Sequence, residues 1–236
     1  MNNSSEIPLK RIGIEAIAIV GSILLAFAID AWWAERVDRG NEKAQLRRLH
    51  VEFQTNIDRI DSREFEERFL DAAAYVYQLI DEGRKSNLDS IEVPAAKIGM
   101  MLFAPTFDAD TPILSGLIRS GRLEIIENEA ILSLISKWER TLYDYTTFAE
   151  RARRSVDERL IPAIVTRGDI GPILMTRPDS FYSIEAAKLE DVQLGIDDEI
   201  KGLVAERWRN GRSALNRFSA ARRIAGELVA EIESAL

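Results

Sequence analysis

The chain of 236 residues contains no cysteine and one histidine, His50. Disulfides, thiolate metal sites and cysteine nucleophiles are thereby excluded, and a His-Asp pair has only His50 to draw on. A di-iron bundle needs two Glu-x-x-His motifs, yet the residue three before His50 is Arg47. Phosphate-binding glycine loops are missing as well. Arg167-Gly168-Asp169-Ile170-Gly171 follows no predicted strand and has no Gly-Lys pair. Nor is there an excess of positive charge. The chain has 31 Lys and Arg against 39 Asp and Glu, a formal net charge of −8, which argues against a nucleic-acid partner. These absences exclude thiolate and multi-histidine sites and assign no cofactor, and they leave carboxylates as the remaining candidates for catalysis or a divalent cation.

One long apolar run is present, at the start. Residues 12–33, from Ile12 to Trp33, carry two charges, Glu15 and Asp30, between Lys10 and Arg11 on one side and Arg36 and Arg39 on the other. At 1.5 Å per residue such a helix reaches roughly 33 Å, about the thickness of a bilayer's hydrocarbon core. Trp32 and Trp33 close it, and amphipathic indoles favour the headgroup level. Three readings compete. A retained transmembrane anchor is favoured by length and by the tryptophans. A cleaved signal peptide has in its support the basic start, the apolar centre and the small residues Ala26-Phe27-Ala28, but Glu15 and the apolar stretch beyond Ala28 oppose it. A buried core helix fits the 14-residue uncharged run from Ala16 to Ile29 but does not explain the lack of a polar face across four turns.

On a helical wheel Glu15, Ala18, Ser22, Ala26 and Asp30 fall on one stripe at steps of three and four. A small-residue face lets membrane helices approach closely, so self-association through this stripe is an expectation. Its polar ends lie one turn inside each end of the run, near the interface, where a carboxylate is tolerated. More basic residues follow the run (Arg36, Arg39, Lys43, Arg47, Arg48) than precede it, which favours a cytoplasmic C-terminal region.

The chain divides into a polar tail at 1–11, the apolar helix at 12–33 and a domain at 34–236, long enough for one sizeable core. Helical periodicity dominates that domain. Apolar residues from Leu46 to Ile80 recur mostly at three and four and predict one helix that continues out of the apolar run, with Gly40 as a weak point. Pro94 suits a first helical position, and a short helix runs to Phe103. Thr111 reads as an N-cap before Pro112, and Ser120-Gly121 ends that helix. The clearest seam starts near Asn128 and runs through Ile131, Ile135, Trp138, Leu142, Tyr145, Ala149, Ala152 and Val156. Pro162 kinks or ends it, and Gly168, Gly171-Pro172 and Pro178 mark a loop. A short helix after Ser180 and a long one from about Asp197 to the end complete the pattern. Ile91-Glu92-Val93 and Leu123-Glu124-Ile125-Ile126 are too short to build a sheet. The expected fold is all-α: an N-terminal transmembrane helix followed by an antiparallel helical bundle.

Acidic clusters give the only hint of catalysis. Asp108 and Asp110 form a possible carboxylate pair, although acids there also favour the positive end of the helix at Pro112. Asp58, Asp61 and Glu64 share a helical face and are expected to be solvated, as is the basic run Arg151, Arg153, Arg154. His50 is expected on the flank of its helix.

Ile12-Gly13-Ile14-Glu15 with Gly21, Leu24-Leu25-Ala26 and Asp30-Ala31-Trp32-Trp33-Ala34-Glu35-Arg36 resembles the opening of a bacterial family of single-pass membrane proteins of unknown function. That opening has a Gly-x-Glu start, a central Gly and an Asn-or-Asp-x-Trp close. Thr106-Phe107-Asp108-Ala109, Ser120-Gly121-Arg122-Leu123 and Ile126-Glu127-Asn128 are similar to the family's middle segment. The resemblance implies an anchor retained in the bacterial inner membrane and a helical domain, and it carries no activity. The expected function is a binding, scaffold or sensor module with the lipid bilayer, a second copy and an unknown protein as partners. The alternative is a hydrolase-type enzyme that uses clustered carboxylates and a divalent cation.

Overall fold

A computed structural model describes residues 9–62, 66–104, 106–175 and 189–236, with the side chains of 9–14, 16, 18 and 66 outside that description. The chain runs α1 (Leu9–Asp61), α2 (Glu66–Lys85), β1 (Ser90–Val93), α3 (Ala95–Leu102), α4 (Pro112–Arg119), a 3-10 turn (Arg122–Ile125) and α5 (Glu129–Ser155). A π-helical turn (Val156–Leu160), α6 (Ile161–Val165), α7 (Gly171–Leu174), β2 (Val192–Gly195) and α8 (Asp198–Ala235) follow. The fold is mostly helical, a bundle in which α8 packs against α1, α2 and α5. Among the described residues, no helix is long and apolar enough to cross a membrane. Several side chains of the apolar run, those of residues 12–14, 16 and 18, lie outside the residues described.

The helix caps follow from local chemistry. Asn128 accepts from the amides of Ala130 and Ile131, and Asp197 accepts from that of Ile200, so each satisfies donors a helix start leaves orphaned. Thr111 precedes Pro112 at the start of α4 as expected, without a side-chain cap bond. The α5 seam is buried at Ile131, Ile135, Trp138, Tyr145, Ala149, Ala152 and Val156, with Leu142 half-buried. Past Ser155 the helix widens into the π turn, where Ile161 N bonds Val156 O, and then continues through Pro162. A proline lacks the donor for an ordinary i→i−4 bond, and a widened turn just ahead of it accommodates the change of register.

Two cores are strung along α8. One gathers Ala73, Val76 and Ile80 of α2 with Ile98 of α3, Ile164 of α6, and Ile200 and Val204 near the start of α8. The other gathers Leu49 and Phe53 of α1 with Leu114 of α4, Trp138 of α5 and Leu228 of α8. Phe53 and Trp138 meet edge to face, with centroids 5.4 Å apart at 82°. Such pairs contribute about 0.5–1.5 kcal/mol beyond their buried area.

Five expectations are corrected. The helix read from Leu46 to Ile80 is two, because α1 ends at Asp61 and α2 starts at Glu66. Ile60 and Phe69, the last and first of the two buried stripes, are nine residues apart, so they cannot stay on one helical face. Gly40 is no weak point, since α1 passes through it unbroken. Pro94 caps α3 instead of opening it, and Gly171-Pro172 starts the short α7 instead of lying in a loop. Strands do exist: Ile91 pairs with Leu194 and Val93 with Val192 in a two-stranded antiparallel ribbon. Gly168 lies under it, where a Cβ would stand 2.8 Å from Gln193 O, so backbone approaches backbone too closely for any side chain. The expected helix after Ser180 falls largely on residues outside those described.

Candidate functional site: an exposed apolar helix and a clamp on α4

Every described side chain of α1 from Glu15 to Asn41 is exposed. Ile17 (74 % exposed), Leu24 (62 %), Phe27 (67 %) and Trp33 (61 %) project away from any core, with Ile19, Val20, Ile23, Leu25, Ile29 and Trp32 exposed between them. They surround the helix on every side. Glu15, Ser22, Ala26 and Asp30 of the small-residue stripe are exposed too, whereas the Ala18 side chain is outside the described residues. The Ser22 hydroxyl donates to Ile19 O at 2.9 Å, a back-bond to its own helix. Trp32 and Trp33 lie together, centroids 6.3 Å apart, and the Arg36 guanidinium sits 5.7 Å from the Trp32 ring. Residues 34–41 are exposed and polar apart from Ala34, Val37 and Gly40, and the first fully buried side chain of α1 is Leu46. Glu42 accepts from Glu127 N at 2.9 Å and Lys43 donates to Leu236 O at 2.7 Å, so the bundle grips α1 from residue 42 onward.

Two turns higher, polar side chains on the buried side of α1 hold the segment before α4. Glu52 accepts from Ile113 N at 2.5 Å and from Leu114 N at 3.1 Å, and so caps α4 from outside its own sequence. Burial pushes the Glu52 carboxyl above its ordinary value, and the two amide bonds oppose that rise. One turn on, Asn56 donates to Asp110 O at 2.7 Å and accepts from Asp110 N at 2.9 Å, as a neighbouring strand would. Phe107 N donates to Tyr145 Oη at 3.0 Å, which fixes the other end of the segment to α5. Beside the clamp lies a shallow depression of about 410 Å³, lined by Val51, Pro112 and Ile113 and edged by Arg47, Arg48 and Asp110.

Asp110 lies beside Glu52 at the same depression, and its charge adds to the rise of the Glu52 carboxyl, but no third acid among the described residues joins the two to form a metal site. The anionic cap of α4 is Glu52, which sequence reading missed. A polar residue at a core position, flanked by Leu49, Phe53 and Ile57, was the available sign. Asp61, expected to be solvated, pairs with Arg222 at 2.9 Å; Asp58 accepts from Gln54, and Glu64 is outside the described residues. His50 does sit on the flank of α1, 2.9 Å from Glu233. Among the described residues, no group of three or more His, Cys, Asp or Glu is placed to hold a metal ion. Chemically, the clamp immobilises a loop and presents an apolar floor with cations at its edge.

Comparison with family models, curated proteins and solved structures finds no match to this chain.

Proposed function

We propose that the chain is a membrane-anchored helical module, held by residues 12–33 as a retained single-pass anchor in a bacterial inner membrane, with the bundle at 34–236 as a binding, scaffold or sensor head. The single observation that supports this most is the ring of apolar side chains exposed around α1 from Ile17 to Trp33. Full burial of one such side chain is worth about 1.5–3 kcal/mol, and these ten are 50–74 % exposed, so together they forgo on the order of 10 kcal/mol, which hydrocarbon would restore. Trp32 and Trp33 stand where the apolar ring gives way to the polar stalk, the place for headgroup-level indoles. The basic residues after the run favour a cytoplasmic bundle. The resemblance of the opening segment to single-pass membrane proteins points the same way.

The test is fractionation of the full chain, with intact-mass analysis of the mature form. The reading expects the chain to stay with membranes through an alkaline wash and to keep its N-terminal segment. A mature chain that starts at Ile29, or release by the wash, would overturn it.

A further inference from the structure

We propose that the cavity between α5 and α8 is a site for a small, weakly hydrated monovalent anion such as chloride, held against the guanidinium of Arg207. This site does not depend on the anchor.

Arg207 is 3 % exposed, so its charge sits inside the bundle. Burial is the one influence on its pKa, and no carboxylate of the described residues offsets the charge. Glu206, its neighbour in sequence, is committed elsewhere: it accepts from Ser155 at 3.2 Å and from Arg159 at 2.6 Å. Both partners of the guanidinium are backbone oxygens, Met101 O for Nε and Phe103 O for Nη2. These carbonyls complete two hydrogen bonds, but the end of a helix carries only about half an elementary charge. A buried cation without a full counter-charge is among the most costly arrangements a fold can hold.

The third nitrogen stands where a counter-ion would fit. Among the described residues Nη1 has no acceptor. It is the atom that a Cβ on Gly211 would meet at 2.5 Å, and Gly211 forms part of the cavity wall. The cavity holds about 30 Å³, about twice what a single water needs. Its space comes from small residues on both helices, Ala149 and Ala152 of α5 and Gly211 and Ala214 of α8. The first two are buried and the last two half-buried, so the site has an inner end and a mouth toward solvent.

The wall also selects the ligand. Arg207 is the only charged side chain on it, and Phe69, Leu70 and Leu215 make most of the remainder apolar. Fluoride or sulfate would have to shed tightly held water, for which an apolar wall gives nothing back. Chloride and bromide give up less, and either neutralises the guanidinium. A water in the same place accepts from Nη1 but leaves the charge as it was.

The test is thermal unfolding of the full chain in neutral detergent, with chloride replacing gluconate, which is too large for the cavity, at constant ionic strength. Chloride and bromide should raise Tm by about 5 °C at a hundredfold excess over Kd and then level off, whereas fluoride should match gluconate. Strongly hydrated anions are the ones that stabilise folded proteins in general, so this order cannot come from the bulk salt effect. The response should vanish in Arg207→Met, and also in Ala152→Val, which keeps the guanidinium and fills the space beside it. A parent Tm that does not distinguish chloride from gluconate means that water occupies the cavity, and it would overturn the proposal, as would equal responses to chloride and fluoride. A chloride response that survives in either variant places the ion elsewhere and overturns it too.

Discussion

Arg207 and Gly211 occupy successive turns of α8, and a Cβ on Gly211 would stand 2.5 Å from Arg207 Nη1 and 2.6 Å from Leu70 Cδ2. The glycine makes room for a buried cation. Arg207 Nε donates to Met101 O at 2.9 Å and Nη2 to Phe103 O at 2.8 Å, so the guanidinium closes the C-terminal end of α3, where a helix carries negative partial charge. Burial lowers its pKa to about 10, which leaves it charged at neutral pH. A small cavity of about 30 Å³ lies against it, between the two cores. Arg207 thus ties α3 to α8 beside that cavity.

Gly211→Ala should therefore destabilise. Alanine in a helix interior gains about 0.8–1.0 kcal/mol over glycine, but here it must displace a guanidinium fixed by two carbonyls and a leucine packed beside it. Overpacking of this kind costs about 1–3 kcal/mol, so the net change is a loss. In an Arg207→Met background the clash with the guanidinium is removed and the same substitution should become less costly. Denaturant unfolding of the four chains measures both effects, and equal costs in the two backgrounds would separate Gly211 from Arg207.

Glu52→Ala leaves the amides of Ile113 and Leu114 without their acceptor and should cost about 1–3 kcal/mol. Because burial holds the folded-state pKa above the unfolded value of 4.5, the contribution of Glu52 is complete at low pH and falls as pH rises through the folded value. The loss caused by Glu52→Ala should accordingly be larger at pH 4 than at pH 8. Unfolding curves at the two values decide the sign.

Trp138 is fully buried, packs on Phe53, and has no hydrogen-bond partner for its ring N–H. Trp138→Ala should lose roughly 3–5 kcal/mol through the void it opens. Trp138→Phe removes the unsatisfied donor along with part of the volume and should cost clearly less. If the two variants unfold at the same denaturant concentration, ring volume is not what the site requires.

Where apolar spacing alone sets the structure, the chain could be read in advance. The α5 seam and the start of α8 at Asp197 are local patterns, and both are found as read. The α1–α2 division was visible as the nine-residue gap between Ile60 and Phe69, but a periodicity averaged over 35 residues hides it. The ribbon of β1 and β2 joins Val93 to Val192 across about a hundred residues, and four residues of strand carry too little pattern to announce a distant partner. Glu52, Asn56 and Arg207 are polar side chains in buried positions, and their partners are backbone atoms far along the chain. A pattern of residue types shows that such a side chain is out of place, yet it does not show which amide or carbonyl meets it.

Asp81 accepts from Lys201 at 2.6 Å and pairs with Lys85 at 2.7 Å, and these bonds hold its carboxyl down to about 2 from an ordinary value of 3.8. A carboxylate lowered in the folded state contributes stability at pH above about 4, and that contribution is lost as pH falls toward 2. Asp61, lowered by Arg222, acts in the same direction. Asp81→Asn should be less stable than the parent at pH 7, and the difference should close by pH 2. A difference that stays constant across this range would mean that the bond to Lys201 does not survive in solution.

Removal of residues 1–33 should separate place from fold. Between residues 15 and 41 no described side chain of α1 is buried, and the first core residue is Leu46. No described side chain from 15 to 33 belongs to either core, so neither core loses one of these when the apolar segment goes. Glu42, Lys43 and His50, which bind α1 to Glu127, Leu236 and Glu233, all remain. The shortened chain is expected to unfold within a few degrees of the detergent-solubilised full chain, because a stability change well under 1 kcal/mol moves Tm by about 2–4 °C or less in a domain of this size. The same truncation should move the protein from the membrane fraction to the supernatant. Circular dichroism and fractionation report the two results independently. A large fall in Tm would place the apolar segment in the core after all, as the core-helix reading requires, and continued sedimentation with membranes would assign the membrane contact to the bundle.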